Sequence, residues 1–178
     1  LEDGERYQTV FSNRESSVAA PTAGLHFTEE TLQRCVQSGV HIAKLELSVG
    51  LGTFRPISTE SIGNHRMHEE TYYVSEDVWE LCKQANRVVA VGTTVVRALE
   101  SVAATGNLSG RTDLFITPGF EFKVVDALMT NFHLPRSSLL VMIEAFVGPR
   151  WKDLYRTALD EGYRFLSLGD AMFIKRSK

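Results

Sequence analysis

Cysteine is scarce in this chain: two residues, Cys35 and Cys82, among 178. Both fall in segments of helical pattern, so they read as reduced core thiols and not as a disulfide framework, which suits a cytoplasmic protein. Long apolar runs are missing too. The longest, SSLLVMIEAFVG, is interrupted by Glu144 and falls short of the roughly 18 residues that a membrane helix needs. There is no internal repeat, low-complexity tract or linker. No secretory leader pattern is seen at the start, and the opening LEDGERYQTVF, with no methionine ahead of it, leads to the expectation of a piece cut from something longer.

What is present describes an ordinary globular protein: 43% hydrophobic and 23% charged residues, enough chain for one domain with its own core. The net charge of −3 gives no general pull toward nucleic acid. Residues 111–178 nevertheless lean basic, and Arg136, Arg150, Lys152, Arg156 and Arg164 with the tail residues Lys175, Arg176 and Lys178 are candidates for a phosphate-facing patch. Solvated helix faces explain them equally well.

Helical and strand patterns alternate along the chain. FTEETLQRCVQSG offers Thr28 as an N-cap, Glu29 and Glu30 in the first turn, and a stop at Gly39. HIAKLELSVG alternates apolar and polar residues as a half-buried strand does. ETYYVS reads as a further strand and SEDVWELCKQAN as a helix capped by Ser75. RVVAVG is a short apolar strand that runs into the helix TTVVRALESVAATG. TDLFITPG and FKVVDALMTNF look strand-like, RSSLLVMIEAFVG and WKDLYRTALDEG helical, and YRFLSLGDAMFI reads as strand, turn, strand. The expectation is a single α/β domain over residues 1–178, with a mixed, largely parallel sheet and helices on its faces.

Chemistry is expected where strands end. At VVAVGTTVVRALES a buried strand stops at Gly92 and Thr93 or Thr94 caps a helix, whose free N–H groups suit an anion. Arg97 lies in the first turn, where the helix dipole disfavours a cation. A bound carboxylate or phosphate would compensate it, and so would pairing with Glu100 one turn on. VAAPTAGLHFT is a small-residue loop with Thr22, Gly24 and His26, able to approach a ligand closely. VGLGTFRP lacks the third glycine of a dinucleotide-binding loop and Pro56 blocks an immediate helix, which argues against a nicotinamide cofactor. TNFHLP ends a strand with Asn131 and His133, and SLGDAM places Asp170 behind Gly169 in a turn. NHRMHEE gathers His65, His68 and Glu70, but its spacing matches no zinc-enzyme motif. Proton transfer suits it better than metal binding.

Taken in order, VAAPTAGLHFT, VGLGTFRP, HRMHEE, AVGTTVVRALES, TDLFITPGFEF, VVDALMTNFHLP and YRFLSLGDAM resemble the S-adenosylmethionine:tRNA ribosyltransferase-isomerase family of queuosine synthesis over essentially the whole chain. The resemblance implies transfer of the ribosyl part of S-adenosylmethionine to 7-aminomethyl-7-deazaguanine in tRNA. Epoxyqueuosine would form, and adenine and methionine would leave. S-adenosylmethionine would be a consumed substrate, with no metal or other cofactor and no membrane. His68, Glu70 and His26 become candidate bases, and His133 and Asp170 candidate acids for the departing adenine. Gly92, Thr93, Thr94 and Arg97 would hold the methionine carboxylate or a tRNA phosphate. Thr22, Gly24, Gly52, Thr53, His65 and Asn131 fall in the matching motifs as substrate-binding residues. Ser48 stands where the family usually has histidine, Ser16 where it often has glycine, and Glu144 where it has a small residue. The family enzyme is about twice as long and carries an inserted β-barrel domain that this chain is expected to lack. A truncated relative that binds nucleoside or tRNA without catalysis, and a metal-dependent hydrolase, are the competing expectations.

Overall fold

The computed structural model describes Thr9, residues 22–48, Ile62, His65 and residues 67–177. A 3₁₀ turn at Thr22–His26 precedes helix α1 (Glu29–Gln37), where the Thr28 hydroxyl accepts from the Thr31 N–H at 3.1 Å. Helix α2 (Glu76–Gln84) begins in the same way, with the Ser75 hydroxyl accepting from Val78. Both caps lie where the serine or threonine ahead of paired acids predicts them.

Three strands, β1 (Glu46–Ser48), β2 (Glu70–Tyr73) and β4 (Ser109–Thr112), form one antiparallel sheet in the order β1-β2-β4. The second sheet has the order β3-β5-β6, from β3 (Val89–Val91), β5 (Ala127–Asn131) and β6 (Ala171–Lys175). In it β3 and β5 run parallel, while β5 and β6 are antiparallel. The α/β class is as expected, but the largely parallel sheet is not: among the described strands one pairing of four is parallel. Two helices, α4 (Ser138–Val147) and α5 (Trp151–Asp160), separate β5 from β6. Between the parallel β3 and β5 stand helix α3 (Thr93–Thr105) and strand β4.

Helix α3 belongs to both sheets. Its Val96, Leu99 and Val102 share one buried cluster with Tyr72 and Val74 at the end of the first sheet and with Ala90, Leu128 and Ile174 of the second. Helix α4 is enclosed: Leu139, Leu140, Val141, Met142, Ile143, Phe146 and Val147 are all buried, which explains an apolar run too short to cross a membrane. No helix among the described residues is long and apolar enough to do so.

HIAKLELSVG is strand only over Glu46–Ser48 among the described residues, with Ala43 exposed, and three further strand expectations fail in part, each for a traceable reason. TDLFITPG is irregular beyond Thr112, because the carbonyls of Thr112 and Leu114 accept from the Arg97 guanidinium and not from a neighbouring strand. FKVVDALMTNF becomes strand only from Ala127, since the N–H groups of Lys123, Val124 and Val125 donate to the Glu100 carboxylate at 2.8–3.0 Å. The first half of YRFLSLGDAMFI is a turn closed on itself: Asp170 N–H donates to the Arg164 carbonyl at 2.7 Å, and Arg164 N–H to the Asp170 carboxylate at 2.8 Å. A Cβ at Gly169 would lie 2.3 Å from that Arg164 carbonyl, so glycine is required by space.

Candidate functional site

Register brings one set of polar residues to a single edge of the second sheet. Gly92, which follows β3, donates its N–H to the Met129 carbonyl at 2.8 Å, and Asn131 at the end of β5 stands opposite Ala171, the first residue of β6. Asp170 therefore lies beside Asn131, and the start of α3 lies on the other flank. Gly92, not Thr93 or Thr94, is the N-cap of α3. It sits at φ 101, a conformation that favours glycine, and supplies no side-chain cap. The first N–H groups of α3 thus meet no capping side chain at the carboxyl end of a parallel strand, with buried Thr93 and half-buried Thr94 flanking them.

The 3₁₀ turn closes over this edge. A Cβ on Gly92 would lie 3.9 Å from the Ala23 methyl, and Gly24 is buried within the turn. Thr22 donates its hydroxyl to Asn131 Oδ1 at 3.2 Å, and Asn131 Nδ2 meets His26 Nε2 at 2.9 Å. Asn131 is itself buried. Asp170 accepts from Arg164 through its backbone N–H, its Nε and an Nη at 2.8–3.3 Å. These bonds, with a smaller contribution from nearby His26, hold the Asp170 carboxyl down at about 2. At neutral pH it is a carboxylate, not a proton donor.

His133 sits further in. Its Nε2 lies 2.9 Å from the Thr130 hydroxyl, and its backbone N–H donates to the Tyr155 phenol oxygen at 3.0 Å. Burial pushes His133 down to about 4 and Tyr155 up to about 12. An imidazole at that value carries no spare proton at neutral pH, so neither expected acid is protonated under working conditions.

NHRMHEE is put to a different use. Glu70 and Arg97 are both buried and form an ion pair of 2.6 Å, and the guanidinium also donates to the carbonyls of Leu114, Thr112 and His68. Burial pulls the Arg97 guanidinium below its usual value, and Glu70 pulls it back up. Arg97 therefore turns away from the start of its own helix and ties α3 to β2 and β4. It does not pair with Glu100, whose carboxylate gathers the loop ahead of β5. The His68 side chain is exposed, and the half-buried His65 ring sets its edge against Phe115 at 5.3 Å. Glu69 pairs with Arg111 at the surface. Asn64, Arg66, Gly52 and Thr53 lie outside the described residues. Among the described residues no three His, Cys, Asp or Glu side chains converge as metal ligands would.

Thr22, His26, Gly92, Thr93, Thr94, Asn131 and Asp170 are thus brought together, while Glu70 and Arg97 form a separate internal pair. Sequence reasoning missed Arg164 as the partner of Asp170 and Thr130 as the partner of His133. Neither pairing follows a helix or strand period.

These features describe an α/β fold with a candidate ligand site at the carboxyl ends of parallel strands, against an open helix start. Residues 1–174 match the family profile described as "Queuosine biosynthesis protein", and the chain belongs to that family. It is 54% identical to the S-adenosylmethionine:tRNA ribosyltransferase-isomerase of Natranaerobius thermophilus, over 98% of this chain and 54% of that protein. To the protein of the same name from Thermotoga petrophila it is 52% identical, over 96% of this chain and 53% of the relative. A crystal structure of S-adenosylmethionine tRNA ribosyltransferase from Thermotoga maritima superposes with a TM-score of 0.70 at 44% identity, covering 85% of this chain and 51% of that one. The chain spans about half the length of the relatives it matches.

Proposed function

We propose that this chain carries the donor-binding and chemical part of an S-adenosylmethionine:tRNA ribosyltransferase-isomerase. In this reading the ribosyl group of S-adenosylmethionine moves to the aminomethyl group of 7-aminomethyl-7-deazaguanine in tRNA and rearranges to epoxyqueuosine, releasing adenine and methionine. S-adenosylmethionine is consumed as a substrate, and the second partner is the modified tRNA. The observation that carries the reading is the linked Thr22–Asn131–His26 group beside Asp170 at the uncapped start of α3. Membership of the family and the names of the relatives support it.

The parts divide the work by charge. The free N–H groups at Thr93 and Thr94 suit the methionine carboxylate, and the Asp170 carboxylate suits the methionine ammonium. The sulfonium acidifies the protons on the 5′ carbon, and removing one requires a base held close by. His26, whose Nε2 meets Asn131 Nδ2, has no lone pair left for that step and serves as a hydrogen-bond donor to the substrate. Glu70 is held by Arg97, so its part in the reaction is to fix α3, and His68, at the surface, is the remaining candidate base. His133, half-buried, lies against the Thr130 hydroxyl.

The test follows label from ribose-labelled S-adenosylmethionine into tRNA bearing the aminomethyl deazaguanine, with donor binding measured by calorimetry. Transfer by the chain, abolished in His26→Gln with donor affinity kept, is the expected result. Binding without transfer would favour a nucleoside-binding part that needs a further segment for chemistry. Absence of both would end the proposal.

A further inference from the structure

Asn131 has two polar ends and the structure uses both. Its Oδ1 faces the Thr22 hydroxyl at 3.2 Å and its Nδ2 faces His26 Nε2 at 2.9 Å. An amide nitrogen can only donate, so the His26 nitrogen opposite it must accept. A neutral imidazole that accepts at Nε2 carries its proton on Nδ1. The Thr22 hydroxyl donates to the amide oxygen, which is the sense that turns Nδ2 toward His26. Asn131 is buried at the end of a central strand, where the ladder to β6 fixes its backbone. His26 is half-buried in the 3₁₀ turn, and among the described residues its Nδ1 meets no hydrogen-bond partner.

We infer that Asn131 is a positioning residue: with Thr22 it fixes His26 as the Nδ1–H tautomer, leaving Nδ1–H as a directed donor to a hydrogen-bond acceptor of the bound substrate. Its amide does not itself hold substrate. The acceptor class that fits one uncharged N–H is a ribose hydroxyl oxygen or a purine ring nitrogen of the donor, in place of a carboxylate or phosphate. Arg164 is already held by Asp170 and so offers an anion no free counter-charge there, whereas a neutral acceptor needs none. The assignment of substrate class rests on the function proposed above, but the tautomer does not.

Nitrogen-15 labelling of histidine and long-range proton–nitrogen correlation of the chain read the tautomer directly. The His26 signals are identified by their loss in His26→Gln. A protonated Nδ1 and a bare Nε2 are expected. In Asn131→Asp the new carboxylate can only accept, so Nε2 should become protonated. In Thr22→Val, which removes the hydroxyl and keeps the shape, the single tautomer should give way to a mixture. A protonated Nε2 in the unaltered chain overturns the inference outright, as does an Asn131→Asp spectrum with Nδ1 still the sole protonated nitrogen. Asn131→Asp should also lower turnover on the order of a hundredfold or more while donor affinity changes little; a loss confined to affinity would return Asn131 to substrate binding. The predicted tautomer in a chain without transfer activity would leave this inference standing and remove the proposed reaction.

Discussion

At the scale of single residues, burial decides what each ionisable group can do. Glu70 and Arg97 are both about 1% exposed, so each charge depends on the other. Glu70→Ala should cost about 3–5 kcal/mol, since it leaves a buried guanidinium without its counter-ion. Glu70→Leu combined with Arg97→Met should recover only part of that loss, because the carbonyls of Thr112, Leu114 and His68 then lose their donor. Urea denaturation of the three proteins checks this, and a double variant worse than the single would refute it. His133 gives a pH signature of definite sign. Its folded value, about 4, lies below the 6.5 of an unperturbed histidine. The unfolded chain therefore binds more protons between those values, and stability falls as pH drops from about 6.5 to about 4. His133→Gln should flatten that part of the profile of the urea midpoint against pH. Asp170 contributes a separate loss lower down, between 3.8 and about 2, so the two do not overlap. A profile unchanged in His133→Gln would mean that the ring is not held neutral by burial.

At the scale of elements, side chains that replace ladder bonds explain where sequence patterns misled. Glu100 reads as the helix partner of Arg97, yet its carboxylate takes three N–H groups of residues 123–125 and delivers the chain into β5. Glu100→Gln keeps one acceptor oxygen and loses the charge. It should cost about 2 kcal/mol and speed amide exchange at Lys123, Val124 and Val125 more than at Leu128. Uniform acceleration would instead mean a global effect. Gly169 acts at the other end of the same sheet. In Gly169→Ala the new methyl meets the Arg164 and Phe165 carbonyls at 2.3–2.5 Å, so the turn must open and Asp170 lose its bonds to Arg164. The Asp170 carboxyl should then titrate nearer to its ordinary value, as carboxyl carbon-13 shifts against pH would reveal; an unmoved titration would show that the turn absorbs the methyl. Caps and helix bodies were legible because their chemistry is local: Thr28, Ser75 and the acids after them carry their own signal. The strand ends were not, because Arg97 and Glu100 reach them from an element far away in sequence, and no local period encodes that.

At the scale of the molecule, the same contrast governs the site. The glycine after β3 and the asparagine at the end of β5 pointed to a candidate strand-end site, and α/β topology brings Thr22, His26, Asn131 and Asp170 together there. The pairing of Glu70 with Arg97 was hidden, since a cluster of histidines and carboxylates looks the same whether it faces a ligand or the core. That hidden pair ties the first sheet to a helix that also packs on the second, because α3 offers Val96, Leu99 and Val102 to the cluster shared by both while Arg97 clamps it to the first. Phe146 provides a remote way to test the coupling. It is wholly buried in α4 with its ring edge-on to Phe122 at 4.9 Å, and it belongs to the same buried cluster. Phe146→Ala should remove about 3–5 kcal/mol. If the molecule unfolds as a unit, the slowest amides of the first sheet, such as Tyr72, and of the second, such as Leu128, should lose protection by equal amounts. If Leu128 weakens while Tyr72 keeps its protection, the two sheets unfold separately and α3 is a bridge that can break. Equal loss would mean that the slowest amides of both sheets exchange only through global unfolding, so that neither sheet opens without the other.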